Sequence, residues 1–242
     1  MAKIKIPYFL KPNKNYELIR VGKNNDGGYL VCTNSIKKSR FLLSMGINDD
    51  WSFERQFSLK NKYVKIKMYD QTLSFYFLIQ RFFIEILKLF LPGRIKKFNI
   101  SIKNLYEYFS FVRNKFVNKV IDKNNFKKII QIKSKNIFLK IDIEGSEYEI
   151  LDTIIDNKNK IEAIAIEFHD LHKNIKKIEN FVKKLNLKIV HIHPNNFKQV
   201  NPDILEVIFS RNPKVIGKNF LFPNNLDMKN DPRQKNLDIM FL

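Results

Sequence analysis

"NIFLKIDIEGSEYEIL", residues 136–151, changes periodicity at its midpoint. The first seven residues are a near-continuous apolar run, which suits a strand covered on both faces. Gly145 permits a tight turn, and Ser146 with Glu149 has the spacing of a capping box, so a helix is expected from Ser146 to about Asn157. On that helix Ile150, Leu151, Ile154 and Ile155 form an apolar stripe, with Glu147 and Glu149 read as structural or solvated. Asp142 and Glu144 fall at the strand's carboxyl edge, where a carboxylate serves no obvious structural purpose.

Working outward, strands and helices alternate. "RFLLSMG" (40–46) and "KYVKIKMYD" (62–70) read as strands, with a helix over "DDWSFERQF" (49–57) capped by Asp49 or Asp50 and with Glu54 and Arg55 facing out. "IEAIAIEF" (161–168), a helix "NIKKIENFVKKL" (174–185), "LKIVHIH" (187–193) and "ILEVIFS" (204–210) follow. The last two strands have no room for a helix between them and should pair antiparallel. The expected fold is therefore α/β: a mostly parallel seven-stranded sheet with helices on both faces and an antiparallel last strand. A β-hairpin is expected in the N-terminal extension (1–39), turning through Asn24, Asn25, Asp26, Gly27 and Gly28. The whole chain, 1–242, reads as one domain, with a polar tail (213–242) whose "LDIMFL" packs back on the body.

Residues 73–120 read as a helical segment. Within it "LSFYFLIQRFFIEILKLFL" (73–91) is the most hydrophobic stretch, with Arg81, Glu85 and Lys88 on one narrow stripe and Pro92-Gly93 as its stop. Its three charges argue against a membrane span. A helix buried against the domain or a partner, and a helix lying in a membrane interface beside Arg94, Lys96 and Lys97, both stay open. A short run "KFNIS" (97–101) and a basic, aromatic helix over about 104–120 come next.

The net charge is +20, but only 8 of the 44 basic residues are arginine. Base-edge and bidentate phosphate recognition lean on arginine, so this balance argues against a nucleic-acid partner and for general attraction to anions. Residues 88–140 carry 14 basic and 2 acidic side chains, whereas 139–170 carry 3 basic and 9 acidic. The single cysteine, Cys32, fits a reducing compartment. The amino terminus shows no signal-peptide pattern, so the cytoplasm is expected, with peripheral contact at the inner membrane face as the variant.

In a parallel α/β sheet ligands bind beyond the carboxyl ends of the strands. Asp70 ends one strand, where a carboxylate can accept from both hydroxyls of a ribose, and Gly46 ends another, where backbone can approach a ligand closely. Glu167, His169 and His172 follow the strand 161–168; His191, His193, Asn195 and Asn196 end the strand 187–193. No metal is expected, because the ligand spacing matches no structural-zinc pattern.

"LKIDIEGSEYEIL" (139–151) resembles the K-I-D-x-E-G-x-E signature of the FkbM-type class I methyltransferases, which use S-adenosylmethionine. "NDGGYLV", "LLSMGINDDWSFE", "IEFHDL", "HIHPNNF" and "PDILEVIFSR" occur in the family's order, over about residues 16–211. Where most class I methyltransferases carry a glycine-richer turn after their first strand, this chain has Gly46 alone.

The resemblance implies an S-adenosylmethionine site in which Gly46, Ile47 and Asn48 line the methionine portion. Asp70 with Gln71 would hold the ribose, Asp142 would face the methionine amino group or the acceptor, and the Asp26-Gly27-Gly28 turn would close over the site. It implies Glu167, His193, Asn195 and Asn196 around the acceptor, with His169, Glu144 and Asp142 as catalytic candidates and His169 first as general base. The implied reaction is O-methylation of a sugar, surface-glycan precursor or related metabolite, acidic or nucleotide-linked. A nucleic-acid methyltransferase and a non-catalytic module docked at a membrane are the alternatives, and an oligomer is not excluded.

Overall fold

A computed structural model of the protein describes residues 3–197, 199–200 and 202–242. The chain opens with β1 (Lys3–Ile6), β2 (Asn15–Tyr16) and the antiparallel hairpin β3 (Leu18–Val21) and β4 (Tyr29–Cys32), followed by α1 (Thr33–Lys38). The first half of the main sheet is β5 (Phe41–Met45), α2 (Ser52–Lys60), β6 (Lys65–Asp70), α3 (Phe75–Leu87), α4 (Arg94–Glu107) and β7 (Phe116–Asn118). The second half is α5 (Lys123–Ile129), β8 (Ile137–Ile141), α6 (Glu147–Asp156), β9 (Ile161–Phe168), α7 (Leu171–Leu185), β10 (Lys188–Pro194) and β11 (Leu205–Ser210). β12 (Val215–Gly217) and β13 (Asp238–Phe241) lie in the tail.

The seven-stranded sheet has the order β10-β11-β9-β8-β5-β6-β7, and β11 alone runs antiparallel to its neighbours. This is the mostly parallel α/β sheet expected from the alternating pattern. Every residue of β8 and of β9 is buried, as two-face coverage demands. One face packs Leu43, Leu139, Ile164 and Val207 against α5, α6 and α7 through Phe126, Ile150 and Phe181. The other packs Leu42, Phe138 and Ile208 against the hairpin and α2, through Tyr29, Val31, Phe53 and Phe57. The tail does return: β13 pairs parallel with β1, and β12 pairs with β2.

Three local readings change. α2 begins at Ser52, where Asp50 Oδ1 accepts from Ser52 N at 3.0 Å, and Glu54 points inward, fully buried and accepting from Ser44 Oγ. Residues 97–101 lie inside α4, which runs into a wide turn at Tyr108–Val112 before β7, so no helix spans 104–120. In the 73–91 stretch Leu78 and Glu85 are buried while Phe83, Ile84, Leu87, Phe90 and Leu91 are exposed. The polar stripe is partly spent on internal pairs, Arg81 with Asp49 and Glu85 with Arg94, leaving apolar side chains outward.

Candidate active site

β5 and β8 run side by side, and where they end their backbones nearly touch. Gly46 has φ +74°, and a Cβ built on it would stand 1.5 Å from Asp142 O. No other residue type fits there without parting the two strands. Asp142 N donates to Met45 O at 3.1 Å and Gly46 N to Tyr69 O at 3.0 Å, which ties three strand ends together. Above this junction opens a cleft of about 600 Å³, lined by Asp26, Gly27, Gly46, Ile47, Asn48, Asp70, Gln71, Lys119, Val120, Asp142 and Glu144 among others.

Most of the anticipated cofactor residues thus share one cavity at the carboxyl edge. Ile47 presents backbone only, its side chain being buried in the core. Asp70 does more than await a ribose. Its Oδ2 accepts from Asn48 N at 2.8 Å, and its Oδ1 accepts from Thr72 N, Thr72 Oγ1 and Leu73 N at 2.6, 2.6 and 3.0 Å. Burial works against its charge, but these donors outweigh it and hold the carboxyl below its usual range. Gln71 beside it is exposed and unencumbered by side-chain demands from the core. Gly27 faces Asp50, whose Oδ2 would lie 2.5 Å from a Cβ, whereas Gly28 packs against Lys23 O and stands outside the cleft lining.

The expected capping box does not form. Ser146 makes no side-chain cap bond; Glu147, fully buried, takes over the turn instead. Its Oε2 accepts from Gly145 N at 2.8 Å and its Oε1 from His169 N at 2.7 Å, so one carboxylate joins the ends of β8 and β9. His169 is fixed further by Tyr148, whose hydroxyl donates to His169 O. The imidazole then lies among carboxylates: Nδ1 is 3.3 Å from Glu147 Oε1, and Nε2 is 3.4 Å from Glu144 Oε2 and 3.5 Å from Glu167 Oε1. Burial pushes its proton affinity down, but Glu147, Asp142 and Glu144 outweigh that and raise it. Such a histidine resists losing its proton, which weakens the expectation that it alone serves as the neutral base.

The carboxylates extend along a row under the hairpin. Glu167 on β9 pairs in register with Glu206 on β11, which pairs with His193 on β10. Burial, with Glu144 and Asp26, raises the proton affinity of Asp142; burial, with Asp142 and Glu206, raises that of Glu167 more strongly; Glu206 is pushed up to about 7 by burial. Glu167, His193, Asn195 and Asn196 stand outside the cleft lining and bind other parts of the protein. Asn195 Nδ2 donates to Glu167 Oε1 at 3.2 Å, His193 Nε2 meets Asn230 Oδ1 at 3.1 Å, and Asn196 exchanges bonds with the backbone of Asp231. His193 and Asn196 thus anchor the C-terminal segment, while Asn195 and Glu167 bond to each other.

Lys140 was not singled out from sequence. It is buried in β8 with Nζ 3.0 Å from Gly46 O, and lies over the Tyr29 ring at 5.6 Å. Burial disfavours its charge, yet Glu54, Asp142 and Asp50 raise its proton affinity, so it is the fixed positive charge beneath the cleft. A lysine inside an otherwise apolar strand was the available signal, since a buried ammonium demands partners. Tyr29, whose hydroxyl points at Asp142 Oδ2 at 3.5 Å, was read only as a hairpin residue.

A larger groove of about 750 Å³ runs between α2 and the α3–α4 pair. Its charged lining is largely spent in ion pairs, Arg55 with Glu107 and Arg81 with Asp49, and it lies away from the strand ends that carry Asp70 and Asp142. The smaller cleft is the better cofactor site. Its glycine-tight floor, the Asp70–Gln71 corner and its acidic rim suit a ribose and a cationic sulfonium.

The family model "Methyltransferase FkbM domain" matches residues 101–208. No curated protein sequence matches the chain. Solved structures similar in fold include precorrin-6y C5,15-methyltransferase from Geobacter metallireducens GS-15, at 9% identity and TM-score 0.41, covering 74% of this chain and 85% of that one. The 23S rRNA methyltransferase ErmE, at 12% identity and TM-score 0.42, covers 76% and 68%. M. jannaschii TYW2 in complex with AdoMet, at 11% identity and TM-score 0.36, covers 74% of each chain. At this distance no acceptor is read from any of them.

Proposed function

We propose that this chain is an S-adenosylmethionine-dependent methyltransferase of the FkbM type, a reading supported by the match of residues 101–208 to that family's domain, and that it methylates a hydroxyl of a sugar, surface-glycan precursor or related small metabolite. The observation that carries this reading is the convergence of Gly46, Asp70 and Asp142 on one cleft whose rim also presents Glu144. The cofactor supplies an already activated methyl group, so the protein's task is alignment, charge and proton removal. Gly46 lets backbone lie against the ligand. Asp70 and Gln71 face the ribose hydroxyls, and the adjoining residues Lys119 and Val120 close the far wall. Asp142 and Glu144 attract the cation and lie where the incoming hydroxyl must release its proton; His169 stands behind them, 3.4 Å from Glu144.

The test is methyl transfer from labelled S-adenosylmethionine to a panel of hexoses, nucleotide sugars and phosphorylated sugars, with transfer RNA alongside. Label on a sugar oxygen supports the proposal. Label on RNA, or none despite cofactor binding, would overturn it.

A second feature bears on location. No helix among the described residues is long and apolar enough to cross a membrane. Yet the α3–α4 hairpin ends in Leu87, Phe90 and Ile95, which are 79%, 97% and 67% exposed, beside Lys88, Arg94, Lys96 and Lys97. Exposed apolar side chains bordered by lysine and arginine match an anionic lipid surface. We propose that this tip rests on such a surface, bringing the cleft to a lipid-linked or membrane-proximal acceptor. Flotation with phosphatidylglycerol vesicles should carry the protein up and should fail for Phe90→Glu; equal flotation of both proteins would refute it.

A further inference from the structure

We propose that the rim of the cleft holds a divalent cation, ligated by Asp142, Glu144 and His169; this rests on the methyltransferase reading for its purpose but not for its test. One nitrogen and two carboxylate oxygens from these residues lie within 4.8 Å of one another. His169 Nε2 is 3.4 Å from Glu144 Oε2 and 3.5 Å from Glu167 Oε1. Ligands roughly 2.0–2.2 Å from a metal stand about 3.0–3.5 Å apart; the His169–Glu144 pair already has that spacing, and Asp142 lies within reach of it.

Three independent features sharpen this. First, Glu147 faces the other ring nitrogen, Nδ1, at 3.3 Å and is itself locked by the backbone amides of Gly145 and His169. Glu147 lies beside Nδ1 without hydrogen-bonding it, so the ring is packed between this carboxylate and the two that face Nε2. Second, Glu144 has φ +53°, a left-handed conformation that glutamate rarely adopts, and it is the turn this produces that brings the exposed Glu144 back over His169. Third, the carboxylates here outnumber the cations. Asp142, Glu144, Glu147 and Glu167 crowd one imidazole, and the nearby Lys140 is already directed at Gly46 O.

Mixed imidazole and carboxylate ligation favours Mn²⁺ or Zn²⁺ over Ca²⁺. With Asp142 and Glu144 lining the cleft, such an ion would sit beside the methyl donor. There it would hold the acceptor's hydroxyl, or two neighbouring hydroxyls of a sugar, and lower that oxygen's proton affinity. It would also relieve the difficulty noted above, since a ligating histidine is neutral and need not act as base.

The experiment uses the full chain, freed of metal by chelation and titrated with Mn²⁺ alone, followed by the loss of the free-ion electron paramagnetic resonance signal; Zn²⁺ is added as competitor. One site per chain is expected, displaced by Zn²⁺ and weakened at least tenfold in His169→Ala and in Asp142→Asn, with both variants melting cooperatively. Absence of stoichiometric binding by either ion, or binding unchanged in both variants, would overturn the proposal. Should a variant fail to fold, Glu144→Gln, on an exposed side chain, must show the same loss. Binding of S-adenosylhomocysteine is measured separately on the wild-type protein, so a failed cofactor reading and a failed cation site give different results.

Discussion

Asp70→Asn separates the structural task seen for this carboxylate from the ribose contact proposed for it. In the protein Asp70 accepts four hydrogen bonds, from Asn48 N, Thr72 N, Thr72 Oγ1 and Leu73 N. An asparagine can keep its oxygen toward Thr72 and Leu73, but as a neutral acceptor, and must turn its NH₂ toward the Asn48 amide. Each bond to a charged acceptor contributes about 1.5–3 kcal/mol and a neutral one about 0.5–1.5. Losing one bond outright and about 1 kcal/mol from each of the other three amounts to about 5 kcal/mol, which solvent around the exposed Thr72 reduces to about 3 kcal/mol of stability. If the same carboxylate also receives ribose hydroxyls, one charge-assisted bond is lost from the complex, and cofactor affinity falls about 10- to 100-fold. Urea denaturation reads the first quantity and calorimetry with S-adenosylhomocysteine the second. Gln71→Ala, on an exposed side chain lining the same corner, should weaken the nucleoside without the stability loss. Asp70→Asn protein that remains folded and binds S-adenosylhomocysteine as tightly as wild type would refute the ribose assignment.

Gly46→Ala should unfold or severely destabilise the protein, because its Cβ has no room against Asp142 O and its φ of +74° is strained for alanine; soluble, cofactor-binding Gly46→Ala protein would contradict the close approach of β5 and β8. Stability should also fall as pH rises across the acid side of neutrality. Glu206 has a folded-state pKa of about 7 against an ordinary 4.5, so the folded state holds a proton that the unfolded chain has released, and between those values up to about 3 kcal/mol is lost. Glu206→Gln keeps an oxygen for the Asn230 amide and should flatten that slope in thermal melts; an unchanged slope would remove Glu206 from the account. At lower pH the sign reverses. Asp70 and Asp227 are held below their usual range, against burial, by backbone donors with Thr72 in one case and by His191 with His193 in the other. Their contribution is present above the ordinary carboxylate range and is lost as pH falls through the depressed values, so melting should collapse in strong acid.

The sheet was legible because its central strands are unbroken apolar runs, and a run such as "IEAIAIEF" has few other uses. The positions of Gly46, Asp70, Asp142 and Glu144 followed from the rule that strand ends carry the site, and the structure gathers all four. What sequence pattern misjudged were carboxylates whose partners come from distant segments. Glu54 looked solvent-facing by helical period, yet Ser44 and Lys140 on the sheet make an inward position tolerable. Glu147 lost to Glu149 as a cap partner on spacing alone, because the amide it serves belongs to His169, 22 residues on. His193, Asn195 and Asn196 looked like a ligand cluster because nothing local used them; His193 and Asn196 find their partners in the tail, at Asn230 and Asp231, and Asn195 finds Glu167 on β9. For the apolar stretch 73–91 the pattern left burial and a membrane interface both open; the α3–α4 hairpin leaves Leu87, Phe90 and Ile95 exposed, and hydrophobicity by itself does not say which surface covers them.

A crystal structure of the protein with S-adenosylhomocysteine would test the central claim most directly. The account predicts the nucleoside in the corner formed by Asp70 and Gln71, its sulfur above the Gly46–Asp142 junction and facing Glu144. Ligand bound instead in the groove between α2 and the α3–α4 pair, or no ligand bound at saturating concentration, would contradict it.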